Sequence, residues 1–385
     1  MTTRHQEPSD PVLETHDSDD DLLVEVGGSA FAQTGVLPHE HEDALRIFAE
    51  ATPDFSTNAI AVYDTAGKFA TVRERQVTDT AFEVYDFSVS NQKYQSTVTA
   101  SRMKRVDDAG NVVEVLMFPS DREQLIEDAL RKMVSQGCGA IRDGVTGVLF
   151  TLYQLRQELK RHKHTFTYDQ LREGIEVMQG ANLKVTNLST GQSWTEHFLV
   201  KILRGGLKHK SEKGRPVEYE KWFVGFHELV TRSIVDRSYR QMNYPRLMAV
   251  RGILPKYLYK RMALLFTYAE SPERRPYEPT MLKTLIESGR GVSPAQKNNV
   301  RAMSRAFAEL IKVGAIERVE ENRRMEGTKI IDIRYEIYPT QAFVDEVIQA
   351  NKVQKRLLAE DDSRKEHQRV QQGLSRLSNI QKTIK

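Results

Sequence analysis

A single cysteine, Cys138, stands in 385 residues, which excludes a disulfide framework. No apolar run approaches the roughly 20 residues that a membrane span needs, and the acidic amino end has no signal-peptide pattern. A cytoplasmic protein without membrane contact is the expectation. Nucleotide-phosphate chemistry lacks its loop: Gly67-Lys68 has neither the earlier glycine of G-x-x-x-x-G-K-[ST] nor the following Ser or Thr. Strand nicking would need paired histidines with a nucleophilic tyrosine. His39-Glu40-His41 and His162-Lys163-His164 lie instead in charged, polar segments, with no rigid frame to hold a metal. No enzyme, cofactor or metal is expected.

What is present is charge, unevenly spread. The formal net charge is +3, yet residues 1 to 54 hold thirteen Asp or Glu against Arg4 and Arg46, a balance of −11 that leaves +14 on the rest. A basic body suits a polyanionic partner. The acidic stretch, with DSDDDLLVEV, offers little to a core and reads as a disordered tail ending in a short helix near Ala44 to Ala51.

The most informative segment is SPAQKNNVRAMSRAFAELIKVG, Ser293 to Gly314. Ser293 as N-cap, Pro294 at the first helical position and Gly314 as the stop predict one helix of about five turns. Val300, Met303, Phe307, Leu310 and Ile311 recur at core-facing spacing. Lys297, Arg301 and Arg305 follow at i, i+4, i+8 on another side, beside Asn298. Lys and Arg meet phosphates or guanine, and Asn pairs with adenine, so this ridge suits a DNA groove. A solvated basic face is the alternative for the helix taken alone. Downstream, Ala315 to Val319 and Thr328 to Ile337 flank the polar stretch EENRRMEG and predict a β-hairpin with Arg323 and Arg324 at its tip. Upstream, Pro279 to Ser288 predicts a short helix with Met281, Leu282 and Leu285 inward. Helix, turn, long helix, hairpin is the order of a winged helix.

A similar unit comes earlier. Ser120 and Glu123 form a capping box that opens a helix to about Gln136. Thr151 caps a second helix with Leu152, Leu155 and Leu159 on one face, preceded by only a strand residue or two. Thr167 caps a third through Met178, and Gly180 ends it. The strands NLKVT, WTEHFLVKIL and VEYEKWFVGF follow. The third helix bears Asp169, Glu173 and Glu176, which repel phosphate. The cations lie in the long turn, at Lys208, His209, Lys210, Lys213 and Arg215, so DNA contact by this unit is expected there and at Arg172. From Asn58 to Met117 β-formers dominate, closing on a hairpin turned at Asp107, Asp108, Gly110 and Asn111. This region is either a small subdomain or the β part of the next unit. A buried helix from about Pro255 to Tyr268 bridges the units. Beyond Gln349 the chain is polar, with nine basic against four acidic residues from Asn351 onward.

The expected fold class is therefore α+β: tandem winged-helix domains with a β-rich N-terminal extension and a disordered acidic N-terminal tail. The expected spans are 1–54 for the tail, 55–119 for the β-rich part, 120–270 for the first winged helix with its bridging helix, 271–345 for the second, and 346–385 for a basic C-terminal tail.

Over residues 112 to 345 the chain resembles the plasmid replication initiators, and most of all their TrfA type. The match is carried by Phe150, Thr151, Tyr153 and Leu155, by the run from Tyr168 through Leu171 to Ala181, and by RSYRQMNYPRLMAVRGILPKYLYKRMALLFTYA with Tyr239, Tyr244, Ala263 and Leu264 to Tyr268. The family's clamp-binding Gln-Leu-Ser-Leu-Phe element has no counterpart. The resemblance implies a protein that binds origin repeats (iterons) in double-stranded DNA, opens an adjacent A+T-rich segment, and engages the host helicase and host initiator. It also implies a homodimer that represses its own gene. A winged-helix transcriptional regulator is the alternative, and a fold that binds only other proteins is disfavoured by the Lys297, Arg301, Arg305 ridge.

Overall fold

The computed structural model describes residues 38–383, apart from 51, 53–54, 108–109, 211–215 and 272–274. The acidic stretch up to residue 37, Asp108, Lys213 and Arg215 lie outside the described residues. In chain order the elements are α1 (Pro38–Glu50), β1 (Ser56–Ile60), α2 (Ala61–Thr65), β2 (Glu74–Gln76), β3 (Phe82–Val89), β4 (Gln92–Thr99), β5 (Ser101–Val106), β6 (Val112–Met117), α3 (Asp121–Met133), β7 (Gly139–Arg142), β8 (Val145–Thr151), α4 (Leu152–Arg161) and α5 (Tyr168–Gly180). There follow β9 (Asn182–Asn187), β10 (Ser193–His197), β11 (Leu199–Lys210), β12 (Pro216–Phe226), α6 (Glu228–Val235), β13 (Tyr239–Asn243), α7 (Tyr244–Ala249), α8 (Ile253–Leu265), α9 (Met281–Glu287), α10 (Gln296–Lys312), β14 (Ile316–Glu326), β15 (Lys329–Pro339) and α11 (Gln341–Thr383).

The first winged helix is α3, β8, α4, α5 and the hairpin β11–β12, which pairs onto β8 so that the sheet runs β11-β12-β8-β7. Local chemistry sets its helix starts. The Ser120/Glu123, Thr151/Gln154 and Thr167/Gln170 pairs are all reciprocal capping boxes. Helix α5 lies close against α3, because a Cβ on Gly174 would meet Ile126 Cδ1 at 2.5 Å. Residues 55–119 are the β part of this unit rather than a separate body. The run Tyr94 to Val106 breaks at Ala100, so that β4 joins the sheet β10-β9-β4-β3 while β5 joins β2-β6-β5. Strand β8 also extends over seven residues instead of the one or two expected. Helix α1 packs Ala44, Leu45 and Phe48 into the same core, so the expected tail does not extend to residue 54.

The second winged helix is α8, α9, α10 and the hairpin β14–β15, with Thr280 bridging to Arg334 as a third strand one residue long. Helix α8 bridges the units as expected, through Lys256 and Lys260, but its apolar side does not belong to the first unit's span of 120–270. Leu254, Tyr257, Leu258, Met262 and Ala263 instead share a core with Met303, Phe307, Leu310, Tyr335 and Ile337. The ribbon β1–β13 stands between the two cores, and the two-residue period of a strand divides its side chains. Ile60 and Tyr239 face the first core, Ala59 and Met242 the second. Helix α11 spans both as well, with Phe343 and Val347 in the second core and Leu357 in the first, where the sequence predicted a basic tail.

Where the units meet, α2, α3 and α8 bury a group of charges. Asp64 accepts from Arg131 at 2.9 Å and Lys260 at 3.0 Å; Asp128 accepts from Lys260 at 2.8 Å and Lys256 at 3.3 Å. Lys68 reaches Glu127 at 3.3 Å and lies 3.1 Å from the centroid of the Tyr63 ring. Glu287 of α9 adds one bond across the junction, accepting from Ser88 N at 3.1 Å, and is held within its own unit by Tyr257 Oη, which donates to it at 3.0 Å.

Two expectations about stability follow. Replacing Lys260 with Met removes the cation shared by Asp64 and Asp128 and is expected to cost about 3–5 kcal/mol in urea unfolding. Changing Asp128→Leu in the same background is expected to deepen that loss, because it takes from the buried Lys256 the carboxylate to which it donates at 3.3 Å. The fully buried His227 donates from Nε2 to Leu183 O (3.2 Å) and accepts at Nδ1 from Leu229 N (3.1 Å), so it is a neutral ring. Burial pushes its pKa down from 6.5 to about 4. A depressed histidine pKa contributes stability that is present above the unfolded value and lost as pH falls from 6.5 towards 4, here up to about 3 kcal/mol. Calorimetry above and within that window is expected to show a fall in melting temperature that shrinks in His227→Gln.

Candidate nucleic-acid interface

Helix α10 divides as its sequence suggests, with two changes. Ala302, Met303, Ala306, Phe307 and Leu310 are buried, while Lys297, Asn298, Arg301, Ser304 and Arg305 are exposed on one ridge. Ile311, expected inward, is 46% exposed, and Ala302 and Ala306 take its place facing α8. The start also differs. The helix begins at Gln296 after Ala295, with no side-chain cap, and Ser293 is not its N-cap. The cause is the buried Asn299, whose Oδ1 accepts from Ser293 N (2.8 Å) and whose Nδ2 donates to Ser293 O (2.9 Å). Those bonds hold residues 293–295 in a turn ahead of the helix. At the other end Gly314, at φ 69°, stops it as expected.

The hairpin is longer than the sequence suggested. Its strands run on to Glu326 and Lys329, turning at Gly327 (φ 58°) and Thr328. Arg323 and Arg324 therefore sit within β14, opposite Ile333 and Asp332, and not at the tip. The Arg323 guanidinium is held by Glu321 at 2.8 Å. Arg318 pairs with Glu320 and stacks over Tyr338. Much of the wing's positive charge is thus matched within the wing.

In the first unit the corresponding helix, α5, is turned to internal use. Glu173 pairs with Arg122 (2.7 Å), Arg73 (3.1 Å) and Arg105, which hold its carboxyl below the usual range. Val177 packs with Val115 and Met117 of β6. A Cβ on Gly180 would strike Ser101 Oγ at 2.0 Å, so β5 closes on this end of the helix. Arg172 remains exposed and pairs with Asp169 at 3.2 Å. Lys208, His209 and Lys210, expected in a turn, extend β11 opposite Glu218, Val217 and Pro216.

The ridge of α10 does not face open solvent alone. Asn298, Arg301, Arg305 and Glu309 form one wall of a cleft of about 610 Å³, with Thr71 and Asp121 of the first unit across from them and Arg251 to Pro255 at the base. Arg251 and Arg290 are exposed at this cleft and escaped the sequence reasoning. Their one local signal is shared: each precedes a glycine at positive φ, Gly252 at 92° and Gly291 at 75°. Among the described residues no group of His, Cys, Asp and Glu is arranged to hold a metal ion, and no helix is long and apolar enough to cross a membrane.

No family model and no curated protein matches the chain. Among solved structures, it is similar in outline to domains 2 and 3 of RctB, at 11% identity and a TM-score of 0.42 over 72% of this chain and 96% of that one. A second structure of RctB domains 2–3 gives 10% and 0.41 over 75% and 99%. The Pi initiator protein in complex with iteron DNA gives 12% and 0.40 over 57% and 91%.

Proposed function

We propose that this chain is a sequence-specific, double-stranded DNA-binding protein of the replication-initiator type, reading bases with α10. One observation supports this most: α10 buries its apolar face against α8 and leaves Lys297, Asn298, Arg301 and Arg305 exposed together beside a hairpin. That is the arrangement by which a winged helix enters a major groove. The initiator reading, with iteron binding, origin opening and engagement of a host helicase and host initiator, rests on the TrfA-like residues between 112 and 345. In this reading the second unit sets specificity, while β11 of the first, through Lys208 and Lys210, mostly adds backbone affinity. A winged-helix transcriptional regulator is the rival, since it shares the fold.

Footprinting on DNA flanking its own gene tests the reading. Protection of repeated sites together with permanganate-reactive thymines in neighbouring A+T-rich DNA is expected; protection without opening leaves the regulator. On the protected site, Arg301→Ala or Arg305→Ala is expected to cost about 1–3 kcal/mol and much less on random duplex. Equal losses on both would remove base reading from α10. The acidic amino end repels phosphate, so its removal is expected to leave duplex affinity unchanged or raised. That deletion must stop before Pro38, because Ala44, Leu45 and Phe48 belong to the first core. Titration of the truncated chain on labelled duplex checks it, and a large loss of binding would give the tail another role.

A further inference from the structure

We propose that the cleft between α10 and the start of α8 is a phosphate-binding site for a nucleic-acid backbone strand, gripped by Arg251 and Arg290 separately from the base-reading ridge. The inference rests on the reading that the chain binds duplex DNA. Four guanidinia meet this cleft, those of Arg251, Arg290, Arg301 and Arg305. Among the described residues none of the four has a carboxylate partner. Arg73, Arg122, Arg131 and Arg246, by contrast, each have a carboxylate partner. Unpaired guanidinia crowded around one concavity repel each other, and an anion with planar, divided charge removes that repulsion by accepting forked hydrogen bonds.

The base of the cleft favours the same charge. Helix α8, thirteen residues long, begins there after Gly252, which has no side chain to cap it. The amides of Ile253 and Leu254 and the positive end of its dipole therefore lie at the cleft without a side-chain cap, Pro255 having no N–H to add. Two carboxylates also line the space. Glu309 is already engaged, accepting from Arg251 N at 3.1 Å and pairing with Lys312 at 3.7 Å. Asp121 stands on the opposite wall at the start of α3 and leaves the balance with the four arginines. Because Thr71 and Asp121 come from the first unit and the arginines from the second, a strand held here touches both. The site is continuous with the α10 ridge, so a duplex whose major groove holds α10 has its backbone at the mouth of the cleft.

The test uses the full chain, a labelled random-sequence duplex, and the DNA flanking its own gene, each titrated over a range of salt concentrations. Arg251→Ala/Arg290→Ala is expected to weaken both DNAs alike and to flatten the salt dependence by about two units of slope, one per lost phosphate. Arg251→Lys/Arg290→Lys is expected to keep most of the slope, and Arg102→Ala, far from the cleft on β5, to change nothing. Melting curves matching the parent are expected, since both arginines are exposed. An unaltered slope in the double alanine variant overturns the proposal. So does a loss confined to the flanking DNA, which would make these arginines base readers. Displacement of the cleft's effect by inorganic phosphate at moderate concentration, at constant ionic strength, would overturn it in favour of a free-phosphate site. If the parent chain binds no duplex at all, the DNA reading falls first and this one with it.

Discussion

The buried charges of α2, α3 and α8 are the constraint on which the arrangement of the two units depends. Burying charges is expensive, and the expense is offset only in good geometry. Lys260 supplies that geometry by lying between Asp64 and Asp128, each within 3.0 Å, and both carboxyls are held below their usual range by their cationic neighbours. Lys68 is less well matched, and burial pushes it down to about 8 despite Glu127. Apolar attraction is non-directional and tolerates small displacements. Hydrogen-bonded ions do not, because each displacement leaves a charge both dry and unmatched. The angle between the winged helices is thereby set by a handful of bonds of fixed length.

That angle is what gives the α10 ridge its surroundings. The cleft has one wall from each unit, so its width is a property of the junction and not of either fold alone. The two units also divide their resources differently. In the second, α10 keeps Lys297, Arg301 and Arg305 free for an outside partner. In the first, the matching helix spends its outward face on Arg73, Arg105 and Arg122 and on the sheet of β5 and β6. One topology thus serves display in one place and attachment in the other.

Local chemistry was readable in the sequence, and tertiary ownership was not. The capping boxes at Ser120, Thr151 and Thr167, the stop at Gly314 and the amphipathic split of α10 all depend on residues within a few positions of one another. The candidate ridge of Lys297, Asn298, Arg301 and Arg305 was legible for the same reason. The partners of α8 were not: it was legible as a buried helix, but Lys256, Lys260 and Arg261 are buried with it because their partners come from residues more than a hundred positions away. Arg323 and Arg324 were displaced from the tip because the strands go on pairing as far as Glu326 and Lys329, with Arg323 matched by Glu321 on its own face. The cleft itself had no sequence signature, since its residues are scattered from Thr71 to Glu309.

Helix α11 gives the architecture an order in time. Phe343, Val347 and Leu357 follow both winged helices in the chain, yet they complete both cores, and Gln354 Nε2 donates to Arg237 O across the gap at 3.2 Å. On a ribosome these residues emerge after everything they fasten. Each unit has its own helices and hairpin by then, while the flank along β13 still lies open to water. Docking of α11 is therefore a latching step, and a chain cut before Leu357 would carry both halves without the closure of the seam between them.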